Sequence, residues 1–300
     1  MVELDDFRPD TAFLELGLDR GRLTSAVVVS DRGGRRTHRV RCGAESYILK
    51  SAADWDAALE GRRYRLLEEL GVPTLRVHGT TETAVLLEDL SVSERFRPAE
   101  PADCERAETG TALARWYRAL HDAGRTYLQE AEVVPSCLRR EYDLLDAETV
   151  LATGDTLGLA ANPVWAQAAE RLETLKSALR ETGETLNYND FHWSNVAVCR
   201  THPVTEAVVY DYHLLGIGPA CADCRNVAGG LSGPAREAFA ADYGPVDERA
   251  SLLDAPLAVL YALKVAADRG QRPGWAAPLV ARAESGELAA DLDRACAVIE

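Results

Sequence analysis

The stretch LNYNDFHWSNVAVCR, Leu186 to Arg200, places Asp190 and Asn195 five residues apart in a loop crowded with aromatics and then runs into an apolar β-type segment, VAV. A second β-type run, AVVYDY, ends on Asp211, and a turn around THPV joins the two. Asp and Asn in loops ordinarily form turns. Here one hairpin gathers two carboxylates and an amide. Such an oxygen-donor set suits a hard divalent cation such as magnesium, which takes one or two carboxylates together with substrate phosphates.

Composition restricts the classes that can use such a hairpin. The chain has 300 residues, 47% hydrophobic and 27% charged, enough to bury a large core. Its formal charge of −15 argues against nucleic acid as a partner, since backbone phosphates demand a basic face. Residues 1–88 hold 13 Lys and Arg against 15 Asp and Glu, whereas residues 89–300 hold 20 against 33. A cleft lined by the acidic part attracts cationic ligands. No run approaches the roughly 18 apolar residues of a membrane span, and the acidic start MVELDDFRPD is unlike a secretory leader, so the expected compartment is the cytoplasm. Seven cysteines, an odd number irregularly spaced, fit reduced thiols. The lone CxxC of Cys221 and Cys224 lacks the second pair that a zinc site needs.

The periodicity changes near residue 90. Before it lie the β-type runs SAVVVS, THRVRC, SYILK and TAVLLEDL, with one helical stretch, DWDAALEGRRYRLLEEL, stopped by Gly71 and Pro73. After it, helical patterns dominate. PADCERAETGTALARWYRALHDAG is expected to end at Gly124, and VPSCLRREYDLLDAETVLAT and NPVWAQAAERLETLKSALRETG to follow as helices; the part from Glu237 also reads as helical. The expectation is an α+β bilobal fold, with a small β-rich lobe over 1–88 and a larger helical lobe over 89–300 into which the hairpin is set.

The D-x-x-x-x-N spacing is that of a kinase catalytic loop, in which the Asp takes the proton of the attacking hydroxyl and the Asn binds metal. YNDFHWSN…VVYDYHLLGIGPACAD resembles the signature of the aminoglycoside phosphotransferase and choline kinase superfamily, small-molecule kinases with a protein-kinase-like fold. The resemblance implies that Asp190 is the catalytic Asp, that Asn195 and Asp211 hold magnesium, and that Asp223 is a structural acid. Tyr188 departs from the family's His, and Ala220 stands roughly where the Asp of its G-D-P segment falls.

The resemblance also makes demands on the first lobe. Lys50, one of only three lysines, ends the apolar run SYILK and is the expected phosphate contact; Glu60, eleven residues before Gly71, is its expected partner. The loop Ser30 to Val40 offers Ser30, Gly33, Gly34 and Arg36 to cover ATP or GTP, and Glu88 and Leu90 lie in the expected purine-binding hinge. Against the helical lobe, Glu141, Asp143, His192 and Trp193 are candidate acceptor contacts. The expected acceptor is a cationic alcohol, foremost an aminoglycoside or related aminated antibiotic. A choline-like metabolite is the alternative, with Trp193, Tyr212 and Trp275 as aromatic faces for its cation. A nucleotide-binding pseudokinase and a helical interaction protein are the readings from other classes.

Overall fold

The β-branched runs of the first 90 residues pair into one antiparallel sheet in the computed structural model, which describes residues 15–32, 35–52, 56–270 and 273–299. Its strands are β1 (Leu23–Arg32), β2 (Arg35–Cys42), β3 (Glu45–Ala52), β4 (Val77–Thr80) and β5 (Ala84–Glu88), in the order β1-β2-β3-β5-β4. Four residues long, β4 carries too little alternation to be expected from the sequence. Helix α1 (Asp56–Glu69) buries Leu59, Tyr64 and Leu67 in one core with Val85 and Leu87 of β5, and the chain leaves it through Gly71 at φ 71°. The opposite face of the sheet buries Val40, Tyr47, Leu49 and Leu86.

Register decides what this sheet offers. Thr37 lies opposite Lys50 and Arg35 opposite Ala52. Directly paired residues share a face and neighbours alternate, so Arg35, Thr37 and Arg39 stand on the face of Lys50, and Arg36 on the other.

The rest of the chain is mostly helical: α2 (Ala107–Glu130), α3 (Ala147–Thr156), α4 (Val164–Glu181), α5 (Ala220–Gly230), α6 (Gly233–Tyr243), α7 (Glu248–Asp268), α8 (Ala277–Ser285) and α9 (Glu287–Ala297). Short strands are set among them: β6 (Phe96–Pro98), β7 (Thr185–Asn187), β8 (Val196–Cys199), β9 (Ala207–Val209) and β10 (Gly216–Gly218). The expected hairpin is β8 with β9; β6 extends it to three strands, and β7 pairs with β10 beside it. One core joins α1, α2 and the hairpin, and a second joins α3, α4, α7, α8 and α9. Helix α7 is long and apolar enough to cross a membrane by length and composition. Here Leu253, Leu257, Leu260 and Leu263 fill the second core, and Asp254 of the same helix is buried in hydrogen bonds from Tyr142 and Arg225.

Two helical expectations are corrected and one helix is added. Helix α2 does not end at Gly124 but continues to Glu130. That glycine is a packing residue: a Cβ there would lie 2.4 Å from the Leu186 nitrogen of β7. The segment VPSCLRREYDLLDAETVLAT holds a 3-10 turn at Glu141–Leu144 and then α3, which Asp146 caps through the Thr149 amide. Its first part stays non-helical because tertiary bonds hold it, with Arg63 donating to the Cys137 carbonyl and Arg140 bridging Ile217. Helix α5, which carries Asp223, was not expected as a helix at all.

Glycine packing gives a direct test. A Cβ at Gly110 would stand 2.0 Å from the Ala235 carbonyl, whereas one at Gly229 meets nothing within 4 Å. Gly110→Ala should therefore cost about 2 kcal/mol or more in urea unfolding, and Gly229→Ala should be neutral or stabilising by up to about 1 kcal/mol.

Candidate active site

Lys50 closes the apolar run of β3, the central strand of the sheet, where it is paired with Thr37 on one side and Val85 on the other. There Nζ donates to Glu60 Oε1 of α1 at 2.7 Å and to Asp211 Oδ1, after β9, also at 2.7 Å. Glu60 is buried. Burial alone would lower the lysine's pKa, yet the two carboxylates raise it above its ordinary value. Burial likewise opposes ionisation of Asp211, but the His213 hydrogen bond and the Lys50 charge hold its carboxyl well below the usual range. Helix α1 is tied to the same loop by Arg63, whose guanidinium donates to the carbonyls of His213 at 2.6 Å and Tyr212 at 3.2 Å.

The loop after β7 hangs from one buried acid. Asp223, fully buried on α5, accepts the Tyr188 amide at 2.8 Å and the Asn189 amide at 2.9 Å. Behind it, His121 Nε2 lies 3.1 Å away, and His121 Nδ1 meets the Tyr243 hydroxyl at 2.8 Å. Tyr188, at the position of the family's His, is also fully buried; it stands edge-on to Trp116 and Tyr212 and donates its hydroxyl to the Tyr210 carbonyl, so an aromatic braces the loop. Asn189 and Asp211 are the described non-glycine residues with positive φ, 64° and 69°. Such backbone is strained and persists only where surrounding contacts fix it.

These constraints present Asp190. Asn195 Nδ2 donates to its Oδ2 at 2.8 Å, closing the loop, and His213 Nδ1 lies 3.2 Å from Asp211 Oδ1 and 3.9 Å from Asp190 Oδ2. Burial raises the pKa of Asp190, helped by the charge of Asp211. A carboxylate with raised proton affinity is the better acceptor for a hydroxyl proton. Against the cost of burial, the hydrogen bond to Asp211 and the charges of both Asp residues raise the pKa of His213. The donor chemistry fits a hard cation: the Asp211 carboxylate and the Asn195 side-chain amide lie beside Asp190, Asn195 through its Nδ2 bond and Asp211 through their shared neighbour His213.

The other sequence candidates fall variously. Ser30 is half-buried opposite Thr37, on the Lys50 face. Gly33 and Gly34 lie outside the described residues. Arg36 is not brought to the site; it points off the other face and bonds Asp31 at 2.9 Å. In the hinge, the Glu88 amide donates to the Arg76 carbonyl and the Glu88 carboxylate accepts the Arg76 amide, and the Leu90 carbonyl accepts from Arg200. Asp89 between them, overlooked from the sequence, is buried and accepts from Arg39, Ser46 and the Ser91 amide. Its only sequence signal is an acid inside an apolar run.

Among the acceptor candidates, Asp143 is half-exposed and paired with Arg180 on the surface. His192 acts on Asp190 electrostatically while bonding Ser194, and Trp193 is exposed beside it. Tyr212 is fully buried with its hydroxyl on the Val209 carbonyl, so it presents no face to a cation. Glu141 differs. Burial pushes its carboxyl up to about 7, and among the described residues no cation lies within 4.0 Å of it. Arg225, the nearest influence, spends its guanidinium on Asp254 and Asn226. A cavity of about 520 Å³ lies elsewhere, behind the loop, lined by Arg118, Asp122, Arg125, Tyr243 and Asp247.

A family model described as the phosphotransferase enzyme family matches residues 27–253. None of the curated proteins matches the chain in sequence. Among solved structures the chain is similar to a choline kinase from Streptococcus pneumoniae, at 11% identity over 93% of this chain and 98% of that one, with a TM-score of 0.60. It is similar too to a macrolide 2'-phosphotransferase from Brachybacterium faecium, at 15% identity over 89% and 93%, with a TM-score of 0.54. An AMP-bound spectinomycin phosphotransferase gives 15% identity over 92% and 93%, with a TM-score of 0.54. At such identities the likeness is one of fold.

Two stability measurements check this geometry. Asp223→Ala removes a buried acid from three partners and should cost about 3–5 kcal/mol in urea unfolding, whereas Asp143→Ala should change stability by no more than about 1 kcal/mol. For Glu141 the folded pKa lies above the unfolded value of 4.5, so its cost to stability appears as pH rises from 4.5 to about 7 and is constant above. Glu141→Gln should match the wild type near pH 4 and exceed it by about 1–3 kcal/mol at pH 8.

Proposed function

The chain belongs to the phosphotransferase enzyme family, and from that premise we propose that it transfers the γ-phosphate of ATP or GTP to a hydroxyl of a small cationic acceptor. The observation that carries this reading is the ammonium of Lys50 set 2.7 Å from both Glu60 and Asp211, beside an Asp190 fixed by Asn195 at 2.8 Å. In this reading Lys50 contacts the donor's inner phosphates and Glu60 keeps it in place. Asp190 orients the acceptor hydroxyl and takes its proton as the oxygen attacks. Magnesium, held by Asp211 and Asn195, supplies charge neutralisation on the phosphates when bound. The AMP in the spectinomycin enzyme supports a nucleotide donor.

For the acceptor, the acidity of residues 89–300 and the unpartnered carboxylate of Glu141 support a polyamine alcohol of the aminoglycoside kind. Glu141 beside α5 is the residue that takes an ammonium, and its raised proton affinity makes acceptor affinity improve as pH rises towards 8. A choline-like acceptor needs aromatic faces, and burial of Tyr212 removes one of its three candidates.

Purified protein should release ADP or GDP in a magnesium-dependent, acceptor-stimulated manner when offered a panel of aminoglycosides and amino alcohols. Asp190→Ala and Asp211→Ala should each lower this turnover by about 100-fold or more. Near-native turnover in either variant removes the assignment, and silence of the wild type across the panel with nucleotide still bound favours a pseudokinase.

A further inference from the structure

Three supports of the loop that carries Asp190 meet in one cavity. The space of about 520 Å³ behind that loop is lined by Thr185, which opens β7, by Ala220 in the first turn of α5, and by Tyr243 at the end of α6. Thr185 begins the strand that runs towards Tyr188 and donates its hydroxyl to the His121 carbonyl at 2.6 Å. Ala220 lies one turn before Asp223 on the same helix, and Tyr243 meets His121, which in turn meets Asp223. Asp223 then holds the Tyr188 and Asn189 amides. None of the lining residues is among those assigned above to donor, acceptor or metal, and a cavity of this size accepts a metabolite-sized molecule.

The lining also defines the chemistry that fits. Most of its charge is already spent: Glu184 has both oxygens on Arg140, Asp122 is paired with Arg125, and Asp247 caps α7 through the Ala250 amide. Arg118 differs. Among the described residues it forms no ion pair, and one guanidinium nitrogen donates to the Asp242 carbonyl at 3.2 Å. The guanidinium has further N–H groups in a planar fork that matches a carboxylate. Apolar wall comes from Pro219, Pro245 and Ala250, and from Val246, which is left exposed. A carboxylate carried on an apolar body satisfies both features.

We infer that this cavity is a regulatory site for a small organic carboxylate with an apolar body, bound by Arg118, whose occupancy stiffens the loop of Asp190 through Tyr243, His121 and Asp223. The ligand packs against Tyr243 and the first turn of α5 and fills the space into which either could move. His121 then stays on Asp223, and Asp223 on the two amides. The coupling is reciprocal, so a ligand of the active site that favours the ordered loop also tightens the carboxylate. No bond is made or broken here, and the site does not depend on the acceptor named above.

Calorimetry on the full chain measures binding of hexanoate, phenylpropionate and indoleacetate, each beside the amine of the same body, and hydrogen exchange follows the Tyr188 and Asn189 amides without nucleotide. At least one carboxylate should bind and its amine should not, and Arg118→Ala should weaken that carboxylate about tenfold or more. The bound carboxylate should slow exchange of both amides about fivefold or more, while the Leu292 amide of α9, in the second core, stays as it was. Tyr243→Phe keeps the ring and removes the hydroxyl from His121, so it should retain binding and lose the slowing. Binding of no carboxylate, of the amines as tightly, or undiminished in Arg118→Ala overturns the site. Binding that leaves both amides unchanged, or that slows Leu292 equally as general stabilisation would, overturns the regulatory role. If the amides respond yet no nucleotide is turned over, the kinase reading falls and this site stands.

Discussion

A single ammonium held between two carboxylates from distant parts of the chain fixes the relation of sheet to hairpin. Lys50 belongs to the sheet, Glu60 to the helix packed on it, and Asp211 to the far end of the β8–β9 hairpin. Desolvating any one of these charges alone is costly, and removing one partner of a buried pair leaves the other uncompensated. The three are therefore mutually dependent: each position is tolerable only because the other two are occupied. Arg63 adds a tie of a different kind, a guanidinium on backbone carbonyls, which holds the loop of Asp211 whatever its side chains do.

The second support works by hydrogen bonds to amides. Asp223 takes two consecutive backbone N–H groups, and the neighbours on its other side, His121 and Tyr243, belong to α2 and α6. Glycines at 110 and 124 let α2 approach α6 and β7 at backbone distance, so the helix that carries His121 cannot shift without collision. Close packing and polar satisfaction thus converge on the same short loop, which places the carboxylate of Asp190 without any rigid secondary structure at that residue.

Much of this was legible in the sequence because it was written in spacing and in rarity. The five-residue interval from Asp190 to Asn195, the Asp closing the next apolar run, and a lysine at a strand end in a chain with three lysines are all one-dimensional signals. Strong periodicity likewise marked β2, β3 and α4. What stayed hidden depends on partners far away in the chain. Arg63, Asp89 and His213 are single polar residues whose role comes from groups 40 or more positions distant or across a turn, and no period reveals them. That Arg36, the residue picked from the sequence, lies on the face away from Lys50 hangs on strand register, where a slip of one residue exchanges the faces. Gly124 was misread because a glycine that permits close approach looks, in sequence, like one that stops a helix.

The left-handed backbone at Asn189 and Asp211 sets a limit on improving this molecule. At Asn189, glycine would ease local strain, of order 1–3 kcal/mol, and a screen for heat resistance would select for it; at Asp211 it would also remove the carboxylate that Lys50 pairs with. The change at Asn189 would free the chain at the point from which the Asp190 carboxylate is aimed. Durability and speed are thus opposed there, and a sturdier variant has to find its gains on the helices far from this loop.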